Sequence, residues 1–158
     1  MGFLLWLQET LLAAWVRESD WGYPIVLTCH AVGMAMVVGP VFAFDLRVLG
    51  YAKKIPLDWF GTLFTIAWSG FAINFVSGIL LFATNATVFI GKWAFQLKIL
   101  LIIAAGIATW LLAGRIAAEA RRNASVEGSP QRHSMTALLS IVFWSGAIVA
   151  GRIIAYSY

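Results

Sequence analysis

Four runs of this chain, roughly residues 22–49, 59–84, 89–118 and 136–156, are apolar for as long as a hydrocarbon layer is thick; about 20 helical residues cross about 30 Å. Lipid offers no partner to a backbone N–H or C=O, so a segment of this kind must satisfy both within itself, as a helix does. The sequence therefore predicts an all-α fold, a four-transmembrane-helix bundle occupying residues 21–158. Its connections are "GYAKKIPLD", the short "NATVFIGK" and "EARRNASVEGSPQRHS", whose Ser, Gly and Pro mark a flexible loop. Only 11% of the 158 residues are charged and 61% are hydrophobic, against about 25% charged in a soluble domain. No stretch is left over for a separate soluble domain.

Residues 1–20, "MGFLLWLQETLLAAWVRESD", lack a basic start and carry Gln8 and Glu9 inside the apolar run. A cleavable signal peptide reads differently, so this segment is expected to stay in the mature chain. It is too short and too interrupted to span. Trp6 and Trp15 favour the headgroup boundary, which predicts an amphipathic helix lying in the interface, with Glu18 and Asp20 in water.

The net charge of +4 is distributed as topology rather than as a nucleic-acid surface. Arg47, Lys53 and Lys54 fall in or beside the first loop, and Arg115, Arg121, Arg122 and Arg132 in or beside the third. The opposite side has Arg17 and Lys92, near Glu9, Glu18 and Asp20. By the positive-inside rule the two basic loops are cytoplasmic and both termini lie outside. Cys29, the single cysteine, forms no intrachain disulfide, and the spacings of zinc or dithiol sites are missing.

Small residues recur at Gly33 and Gly39, at Gly70 and Gly78, at Ala105 with Gly106, and through "SGAIVAG" from Ser145 to Gly151. Helices in lipid associate by packing and hydrogen bonds, so these positions are expected to be seams. Gly39-Pro40 is expected to bend or loosen the first span, because proline removes a backbone donor and crowds the preceding turn.

Polar side chains within the spans are few: His30, Asn74, Gln96, Lys98, Arg152 and several hydroxyls. Ionisable groups at mid-membrane cost roughly 2.5–3.5 kcal/mol on insertion scales, which makes them functional candidates. At 1.5 Å per residue, His30, Lys98 and Arg152 each lie about 10 Å from the outer end of their span. No acid shares that level. Two cations and an imidazole without an acid suit a haem b whose iron takes His30 and whose propionates meet Lys98 and Arg152. A lipid phosphate or an acid from another subunit would serve the cations equally. Gly33, one turn from His30, would let a flat macrocycle approach the helix.

Other readings stand beside this one. Lys98 and Arg152 are shallow enough to snorkel to the headgroups, and His30 could hydrogen-bond a neighbouring helix or serve a quinone or a proton. A quinone would suit the surface of Trp68, Phe71 and Phe75 with the Asn74 amide, although such aromatic stripes are mostly packing or lipid-facing. The second axial ligand is missing: His133 falls in the third loop, and Met34 and Met36 share the helix of His30. A second copy or another subunit would have to complete the iron. Asp45 and Arg47, in "FDLRVLG", are expected to pair at the membrane boundary with Arg121 or Arg122.

The pattern "WGYPIVLTCHAVGMAMVVGPVFAFDLRVLG", followed by "WSGFAINFVSGILLF", "FQLKILL" and the terminal "GRIIAY", resembles a family of small bacterial four-span integral membrane proteins of unassigned activity. The histidine span is also loosely similar to membrane cytochrome b and copper-resistance D-type domains, whose histidines hold haem. The resemblance implies the bacterial inner membrane, with both termini periplasmic. Members of the four-span family look as though they carry a further histidine near the cytoplasmic end of the third span; here "GIATWLLAGRIA" has none, which leaves His30, Lys98 and Arg152 as the matching positions.

The expectation is a small redox-associated membrane subunit holding haem b or quinone in the outer leaflet. His30 is its metal ligand or hydrogen-bonding group, Gly33 and Asn74 line the site, and Lys98 and Arg152 are anion partners. Membrane lipids and either a homo-oligomer or a larger complex are the expected partners, with no nucleic acid. The alternative is a non-catalytic scaffold or lipid-binding protein. Four short spans without paired acids or a polar path give a transported ion little to follow.

Overall fold

In a computed structural model the chain is described for residues 2–51, 54, 59–121 and 130–156, with the side chains of 119–121 and 130–132 left undescribed. The described residues form seven helices and no strand: α1 (Gly2–Gln8), α2 (Leu11–Glu18), α3 (Gly22–Val48), α4 (Trp59–Ala83), α5 (Ala86–Phe89), α6 (Trp93–Arg121) and α7 (Pro130–Tyr156). Four of them, α3, α4, α6 and α7, are long and apolar enough to cross a membrane. They show large apolar side chains to the outside, among them Leu27, Trp68, Trp110 and Val149, as helices bathed in lipid do. The chain is an all-α, multi-pass membrane protein.

The N-terminal segment is two helices rather than one. Thr10 divides them: its hydroxyl donates to Leu7 O at 2.8 Å and accepts from Ala13 N at 3.3 Å, ending α1 and capping α2 with one side chain. The polar Gln8-Glu9-Thr10 stretch is thus a helix break. Ser19 repeats the device before α3, accepting from the N–H groups of Trp21 and Gly22. The third span also starts later than expected, because Ile90, Gly91 and Lys92 form a turn between the four-residue α5 and α6. The fourth starts earlier, with Pro130 at the head of α7, where its missing N–H is no loss. The third loop's residues 122–129 lie outside the described residues.

Two compact units divide the chain. The first, Met1–Pro40 with Gly61–Trp93, pairs α3 and α4 and sets α1 against α2 and α5. Its seam uses Val26, Gly33 and Val37 of α3 and Ala67, Gly70 and Ser77 of α4, all buried at helical spacing. The second, Val41–Phe60 with Ala94–Tyr158, has Ala105, Ala108, Leu112 and Ile116 of α6 and Ala137, Ser140, Trp144 and Ala147 of α7 as its buried faces. Small residues dominate both seams. Helix α3 is unbroken through Pro40, and the first unit ends there.

Not every small residue expected at a seam lies in one. Gly33, Gly70, Gly78, Gly146 and Gly151 each have a neighbour where a Cβ would go, whereas Gly39 and Gly106 have nothing within 4 Å.

Helix α3 ends in a Schellman motif: Tyr51 N donates to Leu46 O at 3.0 Å and Gly50 N to Arg47 O at 3.2 Å, with Gly50 at φ 89°. Only glycine takes this conformation without a Cβ penalty. Gly50→Ala is expected to lower unfolding stability by about 1 kcal/mol, the cost of a left-handed L-residue, read as the shift in a chemical-denaturation midpoint in detergent.

Candidate functional site

His30 on α3 and Asn74 on α4 clasp one another. The Asn74 amide Nδ2 donates to the backbone O of His30 at 2.8 Å, and His30 Nδ1 lies 3.1 Å from the backbone O of Asn74. Since a carbonyl only accepts, Nδ1 carries the proton. The same nitrogen lies 3.1 Å from Ser77 Oγ, whose own hydrogen is directed to the carbonyl of Ile73 at 2.6 Å, leaving that hydroxyl a second acceptor. In the neutral ring Nε2 is therefore the lone-pair nitrogen.

Three glycines make the approach possible. A Cβ on Gly33 would lie 2.7 Å from Asn74 N and 2.9 Å from Gly70 O; Gly70 faces Met36 and the Gly33 carbonyl in return. A Cβ on Gly78 would stand 3.2 Å from His30 Cε1. Gly33 thus does not open a face for a macrocycle: the backbone of α4 already occupies it. Gly70, Asn74 and Ser77 recur on one face of α4, and Gly33 follows His30 by one turn, so the helical period delivers all five to a single line of contact.

The aromatic stripe belongs elsewhere. Trp68, Phe71 and Phe75 are exposed and contact one another, at ring centroid separations of 5.9 and 6.0 Å, while Asn74 turns to α3. The rings and the amide do not share a pocket wall, and the lipid-facing reading of the rings fits their exposure.

Lys98 and Arg152 lie in the second unit. The half-buried Lys98 side chain runs across Gly151, with Nζ 3.4 Å from where a Cβ would be. Arg152, the next residue, is exposed and lines an open groove of about 430 Å³ with Ile148, Val149, Ile153 and Tyr156. A cation set in an apolar groove suits an amphiphile with an anionic head.

The other polar group of the second unit was not foreseen. Asp45, expected at the boundary in an ion pair, has none of its surface exposed and no hydrogen-bond partner on either carboxyl oxygen. Of its expected partners, Arg122 lies outside the described residues, as does the side chain of Arg121. His133, read as a loop residue, belongs to α7 and is 6% exposed. The hydroxyls of Ser140 and Thr109 are 3.2 Å apart, and Trp144 Nε1 donates to Thr109 at 3.3 Å. Hydroxyls inside apolar runs were the available signal.

Among the described residues no group of three or more His, Cys, Asp or Glu side chains is placed to cage a metal ion. That bears on a bare ion, since a haem brings four nitrogens of its own and asks the protein for one or two. No protein-family model, curated protein or solved structure matches this chain significantly.

Proposed function

We propose that this chain is a small redox-associated subunit of the bacterial inner membrane, kin to the four-span family it resembles, with both termini periplasmic and His30 holding a cofactor in the outer leaflet. The observation that supports it is the direction of the imidazole. Ligating histidines donate their other ring N–H to a carbonyl or carboxylate, which fixes the tautomer and strengthens the ligating nitrogen. His30 Nδ1–H is directed in this way to the carbonyl of Asn74 and to Ser77.

The same tautomer discriminates between the candidate cofactors. A quinone carbonyl needs a donor, and neutral Nε2 has none to give; haem iron needs a lone pair, which Nε2 offers. The reading is therefore haem b, or a quinol whose hydroxyl donates to Nε2. A second copy or another subunit would have to supply a further ligand to the iron; in the second unit, taken by itself, Lys98 and Arg152 are anion partners, with a lipid phosphate at the Arg152 groove. The protein purified from membranes should show a Soret absorbance band that His30→Ala abolishes. A colourless preparation whose organic extract contains no quinone rules the redox reading out.

One observation favours the alternative of a non-catalytic scaffold or accessory subunit. The His30–Asn74 clasp joins two helices through backbone atoms at both ends, and as a staple it needs no ligand.

A further inference from the structure

Asp45 is the only acidic residue within the apolar spans 22–48, 59–83, 93–118 and 133–156; the one other acid of these helices, Glu119, lies beyond the span in the last turn of α6. A buried carboxylate without a partner is costly in a low-dielectric interior. Asp45 and Ser140 have no accessible surface, so a water molecule, or an ion of that size, has no place beside them. A proton needs none.

The surroundings also serve the charged form. Ser140 is the polar side chain acting on the carboxyl, though neither oxygen has it in hydrogen-bonding geometry. The indole N–H of Trp144 can only donate, so Thr109, which accepts from it, can pass its own hydrogen to Ser140, and Ser140 can donate toward Asp45. Phe44 and Phe60, edge to face at 5.1 Å and both buried, enclose this end. The nearest charged or titratable residues along the surrounding elements are Arg47 on α3, the exposed Arg115 on α6 and His133 on α7; α4 contributes none.

We infer that Asp45 is an exchangeable-proton site: a carboxylic acid that keeps its proton while enclosed and releases it to water at the adjacent end of α3, the carboxylate then accepting from Ser140. On release the acid O–H bond breaks, its hydrogen passes to a water molecule and its electron pair stays on the carboxylate. This inference is independent of the His30 reading.

Infrared spectra of the whole chain in lipid vesicles test it. Wild type should show the carbonyl stretch of a protonated carboxylic acid, shifted in D2O and lost in Asp45→Asn. Carboxylate bands alone, an acid band that D2O leaves in place, or one that survives Asp45→Asn overturns the proposal. A second measurement on wild type avoids reliance on how the variants fold. A hydrophobic carbodiimide takes the acid hydrogen on nitrogen and the carboxyl oxygen on its central carbon, so the label should map to Asp45 and fall several-fold as pH rises. No label at Asp45 overturns the proposal. So does protection by sodium at constant pH, which identifies a metal-cation site in its place.

Discussion

Gly33→Ala is expected to lower the unfolding stability of the protein by about 1–3 kcal/mol, the range for overpacking a closed contact. The added Cβ would lie 2.7 Å from Asn74 N and 2.9 Å from Gly70 O, both backbone atoms of α4. No rotamer change removes them. The helices must move apart instead, and the Asn74 Nδ2 bond to His30 O, now 2.8 Å, lengthens with them. Gly39→Ala, on the same helix, is the control: nothing lies within 4 Å of its new methyl group, and alanine is the better helix former by about 1 kcal/mol in water. Denaturation midpoints in mixed micelles should therefore move down for Gly33→Ala and stay or rise for Gly39→Ala. Equal midpoints would show that α3 and α4 do not meet at Gly33.

The contrast between these two glycines shows where sequence reasoning stops. The apolar runs at 22–49 and 59–84 disclosed α3 and α4 almost to the residue, because hydrocarbon thickness and the backbone's need for partners leave little choice. The period of each helix also put His30 and Gly33 on one face. It did not say which face of α4 comes opposite, since rotation and register between two apolar helices depend on packing that hydropathy does not encode. Gly33 and Gly39 look alike in sequence, yet a Cβ on one would meet backbone and a Cβ on the other would meet nothing within 4 Å.

The same limit explains the fate of the polar residues. His30 and Asn74 were each legible as costly groups in lipid, but their clasp required knowing that Gly33 and Gly70 let the helices come close. Proximity in sequence groups Asn74 with Trp68, Phe71 and Phe75, whereas the 100° turn per residue of a helix separates the amide from the rings. For Asp45 a basic loop nearby suggests an ion pair, while the buried Ser140 and Trp144 of α7 and the half-buried Thr109 of α6 are too far along the chain to be associated with it. Gln8 and Glu9 mark the interruption in sequence, but it is the next residue, Thr10, that ends one helix and starts another, because a hydroxyl can serve a carbonyl and an N–H together.

His30→Ala should remove all bound haem while leaving a folded protein, since the clasp keeps its Asn74 Nδ2 bond to the backbone O of residue 30. Interhelical hydrogen bonds in membrane proteins average about 0.6 kcal/mol, so losing the Nδ1 contact is not expected to unfold the bundle. Asn74→Ala makes the opposite trade. It deletes the Nδ2 donor but retains the backbone carbonyl that accepts Nδ1–H, so stability should fall by up to about 1.7 kcal/mol, the largest such coupling in membrane proteins, with the haem band kept. Gly78→Ala probes the ring's position, because its methyl group would stand 3.2 Å from His30 Cε1 and press the imidazole by a few tenths of an ångström. That variant should bind haem more weakly with a shifted spectrum, and Ser77→Ala, which leaves the Asn74 carbonyl as acceptor, should change least. Absorbance and denaturation measured on the same four preparations separate the two readings. A cofactor site makes colour follow His30 and Gly78 while stability follows Asn74, whereas a staple gives colourless protein throughout, with His30→Ala and Asn74→Ala weakened alike.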